Sequence, residues 1–218
     1  MVAQHPFDQS RYQVRHEWGV DGLARLASSD VVIVVDVLRF STAVTDAVSL
    51  GASVPLDERA HAVSINGAVV ADAAASGAVV LLGCLRNAAA VAGAVHAVQD
   101  RRGARTTVAV IACGERTSGR DDAPVRVAVE DQLGAGAIID ALSARGIDHS
   151  SPEAAVAGEG FRGLRRAAKH LLTASGSGQE LIDRGLRDEV LAASELDATE
   201  AVAVLRDGVF VRMRADSY

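Results

Sequence analysis

Unbroken apolar runs, each followed by a short polar stretch and then a helical pattern, dominate this chain. Residues 30–38, DVVIVVDVL, are β-branched almost throughout and are followed by Arg39-Phe40-Ser41-Thr42. A run with no polar face predicts a strand buried on both sides. Residues 43–50 then predict a short helix closed by Gly51, with Ser41 or Thr42 placed to cap its first amides. The unit recurs: residues 78–82 predict a strand, 83–87 a loop and 88–99 an alanine-rich helix. Residues 106–112 predict a third strand, running into Gly114-Glu115-Arg116 and a polar loop through Pro124.

Residues 127–145 predict a long helix ending at Gly146, with Glu130 and Asp131 near its start, where carboxylates complement the helix dipole. Residues 151–172 predict helix, and 176–187 a loop and a short helix. In the glycine-rich stretch 175–178 a flexible loop is expected rather than a phosphate cradle. Residues 201–211, AVAVLRDGVFV, predict a hairpin turning at Asp207-Gly208. Residues 56–62 show no clear element pattern.

Strands alternating with helices predict an α/β chain: a layered α/β/α sandwich with a mostly parallel or mixed sheet. The 218 residues, 49% hydrophobic but only 3% aromatic, suit one domain over 1–218 built by close helix-on-sheet packing. A net charge of −6 leaves no basic footprint for nucleic acid. Residues 1–22 are polar and no later window approaches a membrane span, so a cytoplasmic protein is expected, neither secreted nor membrane-bound. Cys84 and Cys113 lack the spacing of a zinc site, and the six histidines are scattered without HxH or HExxH. Neither a Walker-type loop, GxGxxG nor GxSxG occurs.

Ligands of open parallel sheets gather beyond the carboxyl ends of the strands. Here those ends carry Asp36, Arg39, Ser41 and Thr42; Cys84, Arg86 and Asn87; and Glu115 and Arg116. Carboxylates supply the hard oxygens that Mg²⁺ requires, and arginines fork onto phosphate or sulfonate oxygens. Each has a plainer role available: Asp36 could bond loop amides or pair with Arg39, Glu130 and Asp131 could serve only the helix dipole, and Cys84 could be a core residue rather than a nucleophile.

Seven blocks in order resemble the 2-phosphosulfolactate phosphatase family: HEWGVDGL from His16, VVIVVDVLRFSTAV from Val31, INGAVV from Ile65, GCLRNAAAVA from Gly83, CGER from Cys113, EDQLGAGAI from Glu130 and SGQELIDRGLRDEV from Ser177. The resemblance implies Mg²⁺-dependent hydrolysis of 2-phospho-3-sulfolactate to sulfolactate and phosphate, a step of coenzyme M synthesis in archaea. The polar residues of matching blocks are Asp36, Arg39, Ser41, Thr42, Asn66, Gly67, Arg86, Asn87, Glu115, Arg116, Glu130 and Asp131. From their chemistry, Asp36, Glu115 and Asp131 are expected to face magnesium. Arg39, Arg86 and Arg116 are expected to bind anions, with Ser41, Thr42, Asn66, Gly67 and Asn87 beside the substrate.

Two departures stand against the match. The family carries a longer stretch near residues 56–62, so a loop there is expected to be missing or deleted. The family's asparagine-glycine-threonine loop also reads Asn66-Gly67-Ala68, without the hydroxyl. A catalytically degenerate homologue that binds phosphate-bearing metabolites is the alternative. A homodimer is the expectation for an enzyme of this size.

Overall fold

The computed structural model describes residues 5–64, 66–118 and 123–214. Four adjacent strands run parallel, from β1 (Val14–Trp18) at one edge through β5 (Val108–Ala112) and β2 (Val31–Val35) to β4 (Val79–Gly83). The full sheet is seven-stranded in the order β1-β5-β2-β4-β8-β9-β3, where β3 is Val54–Pro55, β8 Ala203–Arg206 and β9 Val209–Arg212. The last three add antiparallel pairings, so the sheet is mixed with a parallel core. The expected α/β/α fold class is what the chain adopts.

Period-two burial builds the two faces. Val31, Ile33 and Val35 of β2 point into one hydrophobic cluster with α5 (Ala88–Arg102), α6 (Val129–Ser143) and α7 (Pro152–Leu164). Val32 and Val34 point into the other, with α2 (Phe40–Ser49) and α4 (Gly67–Ala74); α1 (Gly19–Arg25) packs against it through Val20 and Leu23. All five β2 side chains are buried, as the unbroken run predicts. The hairpin forms where expected, with Asp207 (φ 48°) and Gly208 (φ 76°) both left-handed at its turn.

Several expectations are corrected. Residues 56–62 do carry an element: α3 (Glu58–Val63) is capped by the Asp57 carboxylate, which accepts from Arg59 N (3.0 Å) and Ala60 N (3.2 Å). The polar N-terminal region supplies β1, although Arg15 and His16 break any apolar pattern. Arg15 is buried there because its guanidinium donates to the carbonyls of Tyr12, Ala27 and Ser28. The predicted 151–172 helix divides into α7, a 3₁₀ turn and α8 (Ala168–Ala174). The expected flexible loop at 175–178 instead opens α9 (Gly176–Asp183), with Ser175 Oγ accepting from Gly178 N at 3.0 Å. After it, α10 (Arg187–Ala193) completes the helical layer. Among the described residues, no helix is long and apolar enough to cross a membrane.

Candidate active site

The register brings the parallel strand ends level: Val35 lies opposite both Gly83 and Ala112, and Trp18 opposite Ala112. The loops after β2 and β5 therefore leave the sheet side by side. They open into a cleft of ≈ 890 Å³. Its lining includes Asp36, Glu115, Glu130, Asp131, Asn66 and Arg39, so six of the twelve polar residues singled out from the matching blocks meet there across nearly a hundred positions of sequence.

Asp36 sits between two helix starts. Its Oδ1 accepts from Phe40 N at 3.2 Å, and its Oδ2 accepts from Gly67 N at 3.1 Å and from Ser64 Oγ at 3.2 Å. Such close approach needs a glycine: a Cβ on Gly67 would lie 2.6 Å from Asp36 Oδ2 and 2.7 Å from the Phe40 ring. Burial, with the charge of Glu115 added, pushes the Asp36 carboxyl up from its ordinary 3.8 to about 6 against the pull of these three donors.

Asp131 ties the two loops together. Its Oδ1 accepts from Val37 N at 2.7 Å, beyond β2, and its Oδ2 from Gly114 N at 2.9 Å, beyond β5. Burial, then repulsion from Asp36 and Glu130, holds its carboxyl well above the usual range. Glu115 is also raised, by burial first and then by Glu130, with Arg126 pulling the other way. Glu115 lies on β6 (Glu115–Arg116), which pairs with β7 (Val125–Arg126) and folds back over Gly114. At Gly114, φ is +67° and an added Cβ would lie 2.5 Å from Val125 Cγ1, so only glycine suits this turn.

Ser64, Arg59, Ser177, Glu180 and Arg184 also line the cleft, and none of them was singled out from the sequence. Ser64 supplies the hydroxyl that Ala68 lacks. Its Oγ donates to Asp36 and accepts from Gly67 N (3.0 Å) and Ala68 N (3.2 Å). Ser177 Oγ stands 3.5 Å from Glu115 Oε2. The SGQEL block pointed to this region, although no single residue in it did. Asn66 donates to Gly114 O at 3.0 Å, while its buried Oδ1 has no partner among the described residues.

Other predicted residues lie outside the cleft. Arg86 braces helices: it donates to Asp46 (3.1 Å), to Ala192 O (2.8 Å) and to Glu195 (3.1 Å). Asn87 is fully buried, donating to Leu82 O and Ala201 O and accepting from Cys84 N. Ser41 does not cap α2; its Oγ donates to Val34 O and accepts from Asp36 N, while Thr42 Oγ1 donates to Val37 O. The carboxylate of Asp36 takes the capping place at Phe40 instead. Arg39 donates to Glu189 at the rim, and Arg116 borders an adjoining hollow with Arg126 and Gly176. Cys84 is buried with its thiol pushed up to about 11, chiefly by desolvation, which removes the thiolate that nucleophilic attack requires.

Among the described residues, no group of three or more His, Cys, Asp or Glu side chains is arranged to hold a metal ion. Mg²⁺ commonly takes only one or two carboxylates, with water and phosphate oxygens completing its shell. The fit is then one of donor chemistry: hard oxygens from Asp36, Glu115, Glu130 and Asp131 reach one cleft, where burial first and one another's charge second raise Asp36, Glu115 and Asp131.

No curated protein matches the chain. The family model for 2-phosphosulpholactate phosphatase matches residues 56–208, a span that includes Asn66, Gly67, Glu115, Glu130 and Asp131 and leaves Asp36 outside. By that match, over more than half its length, the chain belongs to the 2-phosphosulpholactate phosphatase family, whose members are phosphoric monoester hydrolases.

Proposed function

We propose that the cleft hydrolyses a small acidic phosphoester with the help of Mg²⁺, 2-phospho-3-sulfolactate being the first candidate. The observation that carries this reading is the meeting of Asp36, Glu115 and Glu130 beyond adjacent parallel strands, in a chain of a phosphatase family. Asp36 and Glu115, with Glu130 behind them, would hold the ion, which when bound offsets charge on the phosphoryl oxygens. Asp131 fixes the loops that carry Asp36 and Glu115, and since each of its oxygens accepts a single amide, each keeps a lone pair for the ion as well.

Without the ion the Asp36 carboxyl titrates at about 6, bound Mg²⁺ would favour its charged form, and its Oδ1, which accepts one bond, keeps a lone pair for the ion. Gly67 N and Ser64 Oγ hold its other oxygen, fixing the carboxylate plane. Arg39, Arg59 and Arg184 line the cleft and are suited to a carboxylate or sulfonate.

The test is phosphate release from a panel of acidic phosphoesters, with Mg²⁺ and with chelator. Chelator-sensitive release that disappears in Asp36→Asn supports the reading; undiminished release by that variant removes Asp36 from its centre. A second reading, a binding homologue without turnover, is motivated by Ala68, which leaves the Asn66-Gly67-Ala68 loop without a hydroxyl. It predicts that phosphoesters raise the melting temperature while no phosphate appears.

A further inference from the structure

A three-carbon acid phosphoester leaves much of this cleft empty. Pockets for drug-sized ligands span about 300–1,000 Å³, and ≈ 890 Å³ lies near the upper end. The space also has two kinds of wall. Beside the carboxylates, Ala43 of α2 and Val54 and Pro55 of β3 present hydrocarbon in the lining, together with Val44 and Leu181, which are themselves largely buried. Ala43 is solvent-exposed although it belongs to a helix otherwise packed on the sheet, so its methyl faces open space instead of core. An apolar wall contributes nothing to a substrate made only of phosphate, carboxylate and sulfonate groups. Hydrocarbon laid against it would leave water.

We propose that the substrate is a phosphomonoester with an apolar substituent, its phosphate among the carboxylates and its hydrocarbon against Ala43, Val44, Val54, Pro55 and Leu181. This rests on the phosphatase reading of the same cleft. The arginines then hold whatever acidic group the substrate carries, and the apolar wall sets the choice among acidic phosphoesters. Discrimination by such a wall is graded: burying about 0.8 kcal/mol per methylene corresponds to roughly fourfold in kcat/KM for each one added, until the space is full.

The experiment compares phosphate release from 2-phospholactate with release from 2-phospho esters of 2-hydroxy acids bearing butyl, hexyl and phenylmethyl side chains. The wild-type chain and Ala43→Trp are both assayed, each checked for folding by its melting temperature. The expected result in the wild type is kcat/KM rising about fourfold per added methylene, roughly sixtyfold from 2-phospholactate to the butyl ester, until the space is full. Ala43→Trp should lower kcat/KM for the long esters at least tenfold and flatten the rise along the alkyl series. Release at rates indifferent to side-chain size overturns the inference and leaves the phosphatase reading standing; so does an equal loss for short and long esters in a folded Ala43→Trp. Release from none of the esters, nor from phosphosulfolactate, overturns both.

Discussion

Replacing Asp36 by Asn should remove a defined part of the pH dependence of folding. In the folded chain this carboxyl titrates at about 6, against an ordinary 3.8. The folded protein therefore holds the proton more tightly than the unfolded one. The stabilisation is fully present below the unfolded value and is lost as pH rises through the folded value. The whole span corresponds to roughly 3 kcal/mol, of which about 1.4 kcal/mol falls between pH 5 and pH 8. Glu115 and Asp131 are raised as well and act in the same direction, and the Asp131 shift includes repulsion from Asp36. Removing the Asp36 charge thus also shrinks the contribution of Asp131. His16, held below its ordinary value by burial, works in the opposite direction, but it does so in both proteins. Urea unfolding at pH 5 and pH 8 in chelator, followed by the single tryptophan, Trp18, supplies the numbers. Each protein is compared with itself, so any fixed cost of the amide cancels. The wild type should lose at least about 1.4 kcal/mol more than Asp36→Asn over this interval. Equal losses in the two proteins would refute the assignment of a raised, buried Asp36.

Three further outcomes follow from the same geometry. Gly67→Ala forces a Cβ to within 2.6 Å of Asp36 Oδ2, so urea unfolding should show about 1–3 kcal/mol less stability and phosphate release should fall with it. Cys84→Ser should leave phosphate release intact, since a buried thiol pushed up to about 11 supplies no thiolate at neutral pH; lost turnover in a folded variant would restore a cysteine mechanism. Arg86→Ala should lower stability by about 1–2 kcal/mol, through the bonds joining it to Asp46, Ala192 O and Glu195, with KM unchanged; a large rise in KM would return Arg86 to the substrate.

The strands at the centre of the sheet were legible because both of their faces are buried. Residues 31–35, 79–83 and 108–112 can be nothing but apolar there. At the edge, β1 was hidden: a polar strand is admissible wherever its side chains find carbonyls, as Arg15 does. The short α3 was hidden as well, since six residues give no helical period and only the Asp57 cap marks the start. In the cleft, Asp36, Glu115 and Asp131 could be selected because strand ends and helix starts gather at one edge of a parallel sheet. The same rule offered Arg86 and Asn87 with equal force. What separates them is the packing of α10 against the end of β4, where Ala192 O and Glu195 take the arginine, and no local pattern encodes that meeting. Ser64 and Arg59 were missed for the complementary reason, since the short segment that carries both is brought to the cleft by tertiary contact.

The same carboxylates also show how this edge of the sheet can hold so much like charge. Asp36 and Asp131 repel each other, yet between them they accept from four backbone amides and one hydroxyl, so neither can move away without leaving buried donors unpaired. Immediately upstream, β2 contributes five buried aliphatic side chains, each stabilising by about 1.5–3 kcal/mol. That apolar strand anchors the loop against the repulsion. A cation or a proton in the cleft relieves the repulsion without any rearrangement of the loops, because the amide bonds persist whether or not the charge is neutralised. The fold thereby fixes the geometry, and the occupancy of the cleft decides only its charge. A ligand should accordingly shift stability and protonation much more than backbone structure.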